Sequence, residues 1–297
     1  MTRLLLQSAV SGLLVGGLYG LVALGLALSF GVMKILNVAH GELLMAGGYA
    51  TFFAFTFWGL DPFLSLPLVL VGMFAFGVLL YQMPFQYLIR FETERRIKNS
   101  LLISFGLVLI LQALATRFFT GDLRTITTSY SSEAFVISLL GTSIRIPWVR
   151  AGSLALAVVA AFLLDWLLNR SGFGRAVRAT AEDWTRAALT GIDVRRVYLI
   201  VFGISASLAG IAGSMIATGY NVSPTIGLTW TLKALIVIVL AGLGSMRGIL
   251  VAGIILGLTE GLAAVWVGPF REVVALVVFL LVLIFRPQGL FGRGAYG

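Results

Sequence analysis

Apolar residues run along this chain in nine stretches, at roughly 5–32, 43–58, 63–89, 99–119, 148–168, 197–217, 231–243, 249–266 and from 270 to near a C-terminal FRPQGLFG, with short polar connectors between them. Several exceed the roughly 20 residues that a helix needs to cross the hydrocarbon core of a bilayer. Two of them, 43–58 and 231–243, are shorter, and suit helices that are extended by their flanks, tilted, or broken within the membrane. The pattern predicts an all-α fold: a polytopic transmembrane helical bundle with eight or nine spans, broken helices among them. No linker or low-complexity run divides the chain, so residues 1–297 are expected to form a single domain.

Small residues recur within these stretches at helical spacing. Gly12, Gly16 and Gly20 are four apart, as are Gly253, Gly257 and Gly261, and Ala206, Gly210 and Ser214 repeat the interval. Residues four apart share one helix face, and small ones there let a second helix approach closely. Packing inside a bundle accounts for such ladders; a dimer interface or a narrow substrate path is the other reading. The first ladder precedes KILNVAHGE (Lys34–Glu42) and the last follows GLGSMRG (Gly242–Gly248). That symmetry is compatible with inverted repeats, although no residue-by-residue repeat is visible.

Composition removes the soluble alternatives. Apolar residues make up 59% of the chain and charged ones 11%, with a mean hydropathy of +1.03, whereas soluble domains carry about 25% charge. The net charge of +9 comes from 21 Lys and Arg scattered through connectors. They form no stripe, so the charge points to the positive-inside rule and not to nucleic acid. With nine crossings, the basic connectors 90–98 (RFETERRIK) and 170–196 both fall on the cytoplasmic side, with Lys34, Arg247 and Arg286. The N-terminus, Asp61 and the connector 120–147 then lie outside; Arg3, Arg124 and Arg145 run against the rule. The first apolar run has no small-residue cleavage site behind it and reads as a retained helix.

Recognisable catalytic chemistry is sparse. There is no G-x-x-x-x-G-K-[ST] loop, so any ATP dependence must come from a separate subunit. One histidine and no cysteine cannot build an ordinary His/Cys zinc site, and no catalytic or metal residue is assigned. Two carboxylates sit within apolar runs. Asp165 is near the end of its run and reads as interfacial; Glu260, in GLTEGL, is a polar packing contact or a polar group on a translocation path. The interrupted segments supply helix-break or gate candidates: Asn37, His40, Gly41 and Glu42 in the first, Gly242, Gly244 and Gly248 in the second. Asn37 or His40 can satisfy freed backbone groups, Gly41 relieves crowding, and Glu42 suits a new helix N-terminus.

The connector SGFGRAVRATAEDWTRAALTGIDVRRV (Ser171–Val197) is more organised than a solvated loop requires. From Phe173 its spacing predicts a short amphipathic helix, with Thr180 or Asp183 capping a following turn and Gly191 stopping it. Docking to a cytoplasmic partner and lying in the membrane interface are both compatible with that design.

The segment G-R-A-x-R-A-T-A-x-D followed by G-I-D-V-R-R-V resembles the cytoplasmic loop of LivH-type permease subunits of bacterial branched-chain amino acid ABC importers. The resemblance extends to YGLVALGLALSFGV (Tyr19–Val32), NVAHGE (Asn37–Glu42), LVLILQALA (Leu107–Ala115), LKALIVIVLAGLGSMRG (Leu232–Gly248) and FRPQGLFG. It implies a non-catalytic ABC-importer permease domain in the bacterial inner (cytoplasmic) membrane that couples ATPase closure to alternating access. The implied partners are a second related permease, two cytoplasmic P-loop ATPase subunits and an extracytoplasmic amino-acid-binding protein. This chain would bind no cofactor, ATP and Mg being used by the ATPases. The implied ATPase-coupling residues are Gly174, Arg175, Ala176, Arg178, Ala179, Asp183, Gly191 and Ile192. Related permeases also carry amides, urea or other small solutes. From the residues alone, a self-contained secondary transporter of a small solute is the competing reading.

Overall fold

The computed structural model describes residues 1–131, 133–139, 142–242 and 245–292. Gly244, one of the helix-break candidates, lies outside the described residues. Each of the nine apolar stretches carries one long helix: α1 (Thr2–Met33), α2 (His40–Trp58), α3 (Pro62–Gln82), α4 (Thr93–Phe119), α5 (Trp148–Arg170), α8 (Val194–Gly219), α9 (Ile226–Ala241), α10 (Met246–Val267) and α11 (Arg271–Phe285). Two short helices, α6 (Gly172–Glu182) and α7 (Trp184–Leu189), fill the organised connector, and 3-10 turns occupy Phe85–Arg90 and Gly268–Phe270.

Among the described residues six stretches are long and apolar enough to cross a membrane: those of α1, α3, α4, α5 and α8, and a continuous one from Gly248 to Phe285. Three features keep this below eight or nine. His40 and Glu42 make the start of α2 polar, α9 has only 16 residues, and a single turn joins α10 to α11.

One element is absent from the sequence expectation. The connector 120–147 contains an antiparallel hairpin, β1 (Ala134–Leu139) paired with β2 (Thr142–Pro147), in the register Phe135↔Ile146 and Ile137↔Ile144. The fold is thus helical with one small hairpin.

Contacts group the chain into two compact units. The first comprises residues 1–23, 127–161 and 233–297. In it the two glycine ladders face each other: a Cβ on Gly257 would overlap the Gly12 carbonyl and the backbone of Gly16, and one on Gly253 would overlap Gly16 and Gly20. The backbones of α1 and α10 therefore touch, which suits a lipid setting where close packing replaces hydrophobic drive. The hairpin is tied to α1 by Gln7, whose side-chain amide donates to the Arg145 carbonyl (2.8 Å) and accepts from its N–H (2.9 Å).

The second unit comprises residues 24–126 and 162–232 and is built around α8. The ladder Ala206, Gly210, Ser214 is where α2 and α3 come against that helix. Gly77 of α3 leaves room for the Ala206 methyl, Gly47 of α2 lies on the Gly210 backbone, and Thr51 donates to Ser214 at 2.6 Å. Arg124, which runs against the charge rule, is held by structure. Its guanidinium donates to the Phe119 carbonyl at the end of α4 (2.9 Å) and stacks over Phe52, while its backbone forms an isolated bridge with Val222.

Overpacking a backbone contact costs about 1–3 kcal/mol. Gly257→Val should therefore lower the thermal midpoint of the detergent-solubilised protein. Gly106→Ala, where an added Cβ meets nothing within 4 Å, should leave it unchanged or raise it slightly through helix propensity. Equal effects of the two substitutions would remove the close-packing assignment.

Candidate functional site

At the α1–α2 break, α1 stops at Met33 because Lys34 takes a left-handed conformation (φ 54°). The six residues that follow are stitched internally. Two serines one turn apart on α4 satisfy both backbone groups of Leu36: its N–H donates to Ser100 Oγ (3.0 Å) and its carbonyl accepts from Ser104 Oγ (3.4 Å). Asn37 Oδ1 accepts from the Ala39 N–H (3.1 Å) and its carbonyl from the His40 N–H (3.2 Å), which turns the chain into α2. The expected capping role therefore falls to Asn37.

His40 is buried, with Gly25 of α1 leaving room for its ring. Gly41 donates its N–H to Thr231 Oγ1 of α9 (2.8 Å), and Thr231 donates on to the Val38 carbonyl (3.1 Å). A Cβ at Gly41 would overlap the Gly227 carbonyl, so the starts of α2 and α9 meet backbone to backbone. Glu42 sits in the first turn of α2, where a carboxylate complements the helix dipole. It is 1% exposed, and its Oε1 accepts from Gln112 of α4 at 2.9 Å.

The break between α9 and α10 is closed differently, by the end of the chain. Gly242 (φ 94°) ends α9, and the Leu290 and Phe291 N–H groups donate to the Leu240 and Ala241 carbonyls at 2.8 and 2.9 Å. Gly289 (φ 80°) lies on Gly242, and the Phe291 ring fills the space where Gly248 lacks a side chain. Ser245 caps α10 through the Gly248 N–H. The terminal RPQGLFG is thus a structural plug on the second helix break.

Glu260 proves to be one member of a buried charge cluster. Its carboxylate accepts from Lys233 Nζ of α9 and from the Tyr19 hydroxyl of α1 at 2.6 Å, while Lys233 also lies 3.5 Å from Glu272 at the start of α11. Lys233 and Glu260 are 9% and 6% exposed. Lys233 escaped the sequence reading, although the criterion that selected Glu260 applies equally: it is the one charge inside the run 231–243.

In the connector Ser171–Val197, Ser171 caps α6, accepting from the Gly174 N–H (2.8 Å) and donating to the Leu167 carbonyl (2.6 Å). Gly174 is buried where a Cβ would overlap the Leu167 and Leu168 carbonyls, so α6 folds straight back from the end of α5. Arg175 is exposed; Ala176 and Ala179 are half-buried; Arg178, also exposed, donates to the Leu168 carbonyl. Asp183 caps α7 by accepting from Thr185 and Arg186 (2.9 and 3.0 Å), Gly191 (φ 86°) ends that turn, and the Ile192 N–H donates to the Ala187 carbonyl. Leu189, 85% exposed at the end of α7, is an apolar tip that was not singled out from the sequence.

The description "Branched-chain amino acid transport system / permease component" belongs to a family model that matches residues 8–285. The chain belongs to this family. It is 31% identical over 295 residues to the high-affinity branched-chain amino acid transport system permease protein BraD of Pseudomonas aeruginosa, an alignment covering 97% of this chain and 96% of that one. To LivH of Salmonella typhimurium, a permease protein of the same description, it is 30% identical over 298 residues, with the same coverage. A half-length similarity links it to LivM of Escherichia coli, another permease of that description: 32% over 151 residues, 49% of this chain and 34% of that one. Membership and the apolar helices together make this permease a multi-pass membrane protein.

Removing one partner of a buried pair strands the other charge, at a cost of about 3–5 kcal/mol. Lys233→Met should lower the thermal midpoint of the permease more than Glu260→Gln, because Lys233 retains Glu272 in the second variant. The double variant should recover much of the loss. Additive effects in this cycle, read by thermal unfolding, would show that the two side chains do not act as a pair.

Proposed function

We propose that this permease is the membrane subunit of an ATP-driven importer for branched-chain or related amino acids. It sits in the bacterial inner membrane as one permease domain with eight or nine crossings, α2 and α9 being the short or broken ones. The α6–α7 connector carries the proposal. Two capped short helices, a close-packed Gly174, a left-handed Gly191 and an exposed Leu189 make a compact surface that offers itself to a groove. Two cytoplasmic ATPases that bind ATP and Mg fit as its partners, with Arg175, Arg178, Ala176, Ala179, Asp183, Gly191 and Ile192 on or framing the seat.

A second, related permease completes the path, a role supported by the similarity to both LivH and LivM. The hairpin leaves Val136 and Ile137 exposed, a surface suited to an amino-acid-binding protein. Closure of the ATPases drives the connector, and the spans answer by exposing the path alternately to either side. Helix breaks whose backbones meet at glycines, as Gly41 and Gly227 do, provide places where such a change can occur. Glu260, already paired with Lys233 and hydrogen-bonded by Tyr19, suits a clamp among helices better than a bare charge on the path. An amino acid with an apolar side chain crossing such a path needs polar backbone or side-chain contacts only for its α-ammonium and α-carboxylate groups.

A Cβ at Gly191 meets nothing within 4 Å in this chain, but its residue must take a left-handed φ of 86°, so Gly191→Ala carries the same backbone strain and serves as the control, and what Gly191→Trp loses beyond it is obstruction of a partner. That variant and Arg178→Glu should each weaken ATPase association in lipid by about tenfold or more, a loss of roughly 1.4 kcal/mol, with uptake falling in step. Unchanged association in both overturns the docking surface. Uptake by the chain alone, driven by an ion gradient, overturns the importer reading.

A further inference from the structure

Arg96 belongs to the basic run RFETERRIK, yet it is 1% exposed and is the largest of the fully buried side chains among the described residues. One terminal nitrogen donates to the Met33 carbonyl (3.3 Å) and the Tyr198 hydroxyl (3.4 Å). The other donates to the Ile89 and Phe91 carbonyls at 3.1 and 3.2 Å. The guanidinium carbon lies 5.5 Å from the centre of the Trp184 ring, at the first residue of α7. None of these partners is a carboxylate.

A buried cation without a counter-ion depends on every dipole that faces it. Here those are the carbonyl end of α1, where the helix dipole is negative, two carbonyls around the turn before α4, a phenol and the face of an indole. Because the same charge needs both the α1 terminus and the α7 ring, displacing α7 changes how well the end of α1 is held. The next residue after Met33 is Lys34, where the left-handed break begins.

We infer that Arg96 is a positioning residue that transmits movement of the α6–α7 connector, through Trp184, to the end of α1 and the break that follows it. The inference rests on the reading of that connector as the ATPase seat. It makes a distinction within the connector: residues such as Arg178 and Gly191 hold the ATPase, whereas Trp184 passes its motion inward.

The test uses the complete complex, permeases with ATPases and binding protein, in lipid. Trp184→Leu removes the ring and leaves the hydrogen bonds of Arg96 in place. It should leave ATPase association unchanged while lowering ATP-driven uptake by about tenfold, within the usual range of coupling between sites. ATP hydrolysis continues, so the ratio of ATP hydrolysed to substrate moved rises. Trp184→Phe, which restores an aromatic face, should recover the ratio. Arg96→Lys, which keeps the charge and loses the planar fork, should uncouple as Trp184→Leu does; if that variant fails to insert, the Trp184 pair decides. Normal coupling in Trp184→Leu overturns the inference, as does loss of ATPase association in it, which would make Trp184 a docking contact. If Arg178→Glu dissolves the complex while Trp184→Leu stays coupled, the inference alone falls. If Arg178→Glu and Gly191→Trp both keep the ATPase bound, the docking reading falls and takes the inference with it.

Discussion

A polypeptide that leaves the helix inside a membrane must find partners for its freed amide and carbonyl groups within itself, because hydrocarbon offers none. The arrangement of this permease follows from how that demand is met at each interruption. Buried breaks are stitched with neutral groups: the hydroxyls of Ser100, Ser104 and Thr231 and the amide of Asn37 between α1 and α2, and backbone from the chain terminus at the end of α9. Interruptions less fully buried use serine, as Ser171 and Ser245 do, or carboxylates. Asp61, Asp183 and Asp193, none of them buried, cap α3, α7 and α8. Carboxylate caps are confined to the more solvated starts, since a carboxylate placed where Ser100 or Ser104 now works would carry the cost of dehydrating its charge.

The same demand explains where glycine is required. A break can be stitched by a neighbouring helix only if that helix comes within hydrogen-bonding distance, and the hydrogen bond from Gly41 to Thr231 needs the backbones of Gly41 and Gly227 in contact. Glycine at 41 is thus a consequence of the stitching, as glycine at 242 and 289 is of the terminal plug. The ladders of α1, α8 and α10 serve a different end, bringing whole helices together where dispersion and close packing hold them. Lys233 and Glu260 are a buried pair of charges among these helices, tolerated because each is the other's compensation.

Helix position was legible throughout, since apolar runs and helices coincide element for element. Local punctuation was legible too: Asn37, Asp183 and Gly191 act as their residue types suggest. The hairpin was not, because two six-residue strands are too short to stand out as apolar runs beside the helices, though AFVISL and TSIRIP both carry strand-forming residues. Long-range partners were beyond reach in principle. Nothing in RFETERRIK marks Arg96 as buried among its basic neighbours, because charge counting records sign and not surroundings. Arg124 is the same lesson reversed: an apparent exception to the positive-inside pattern is a helix cap stacked on an aromatic ring.

These contrasts bear on how a transport subunit can move without coming apart. A neutral hydrogen bond is worth about 1 kcal/mol net, so the α1–α2 break, held by a handful of them, can rearrange one bond at a time. A break stitched by charges would have to expose or strand a charge at every step. The buried cation beside it, Arg96, stands at the edge of the break and not within it, held by five partners on elements that include both the end of α1 and α7. The stiff, charged contact of Arg96 is concentrated at the boundary, and the backbone groups inside the break are met by neutral hydroxyls and an amide, the arrangement in which the break yields before its edge does.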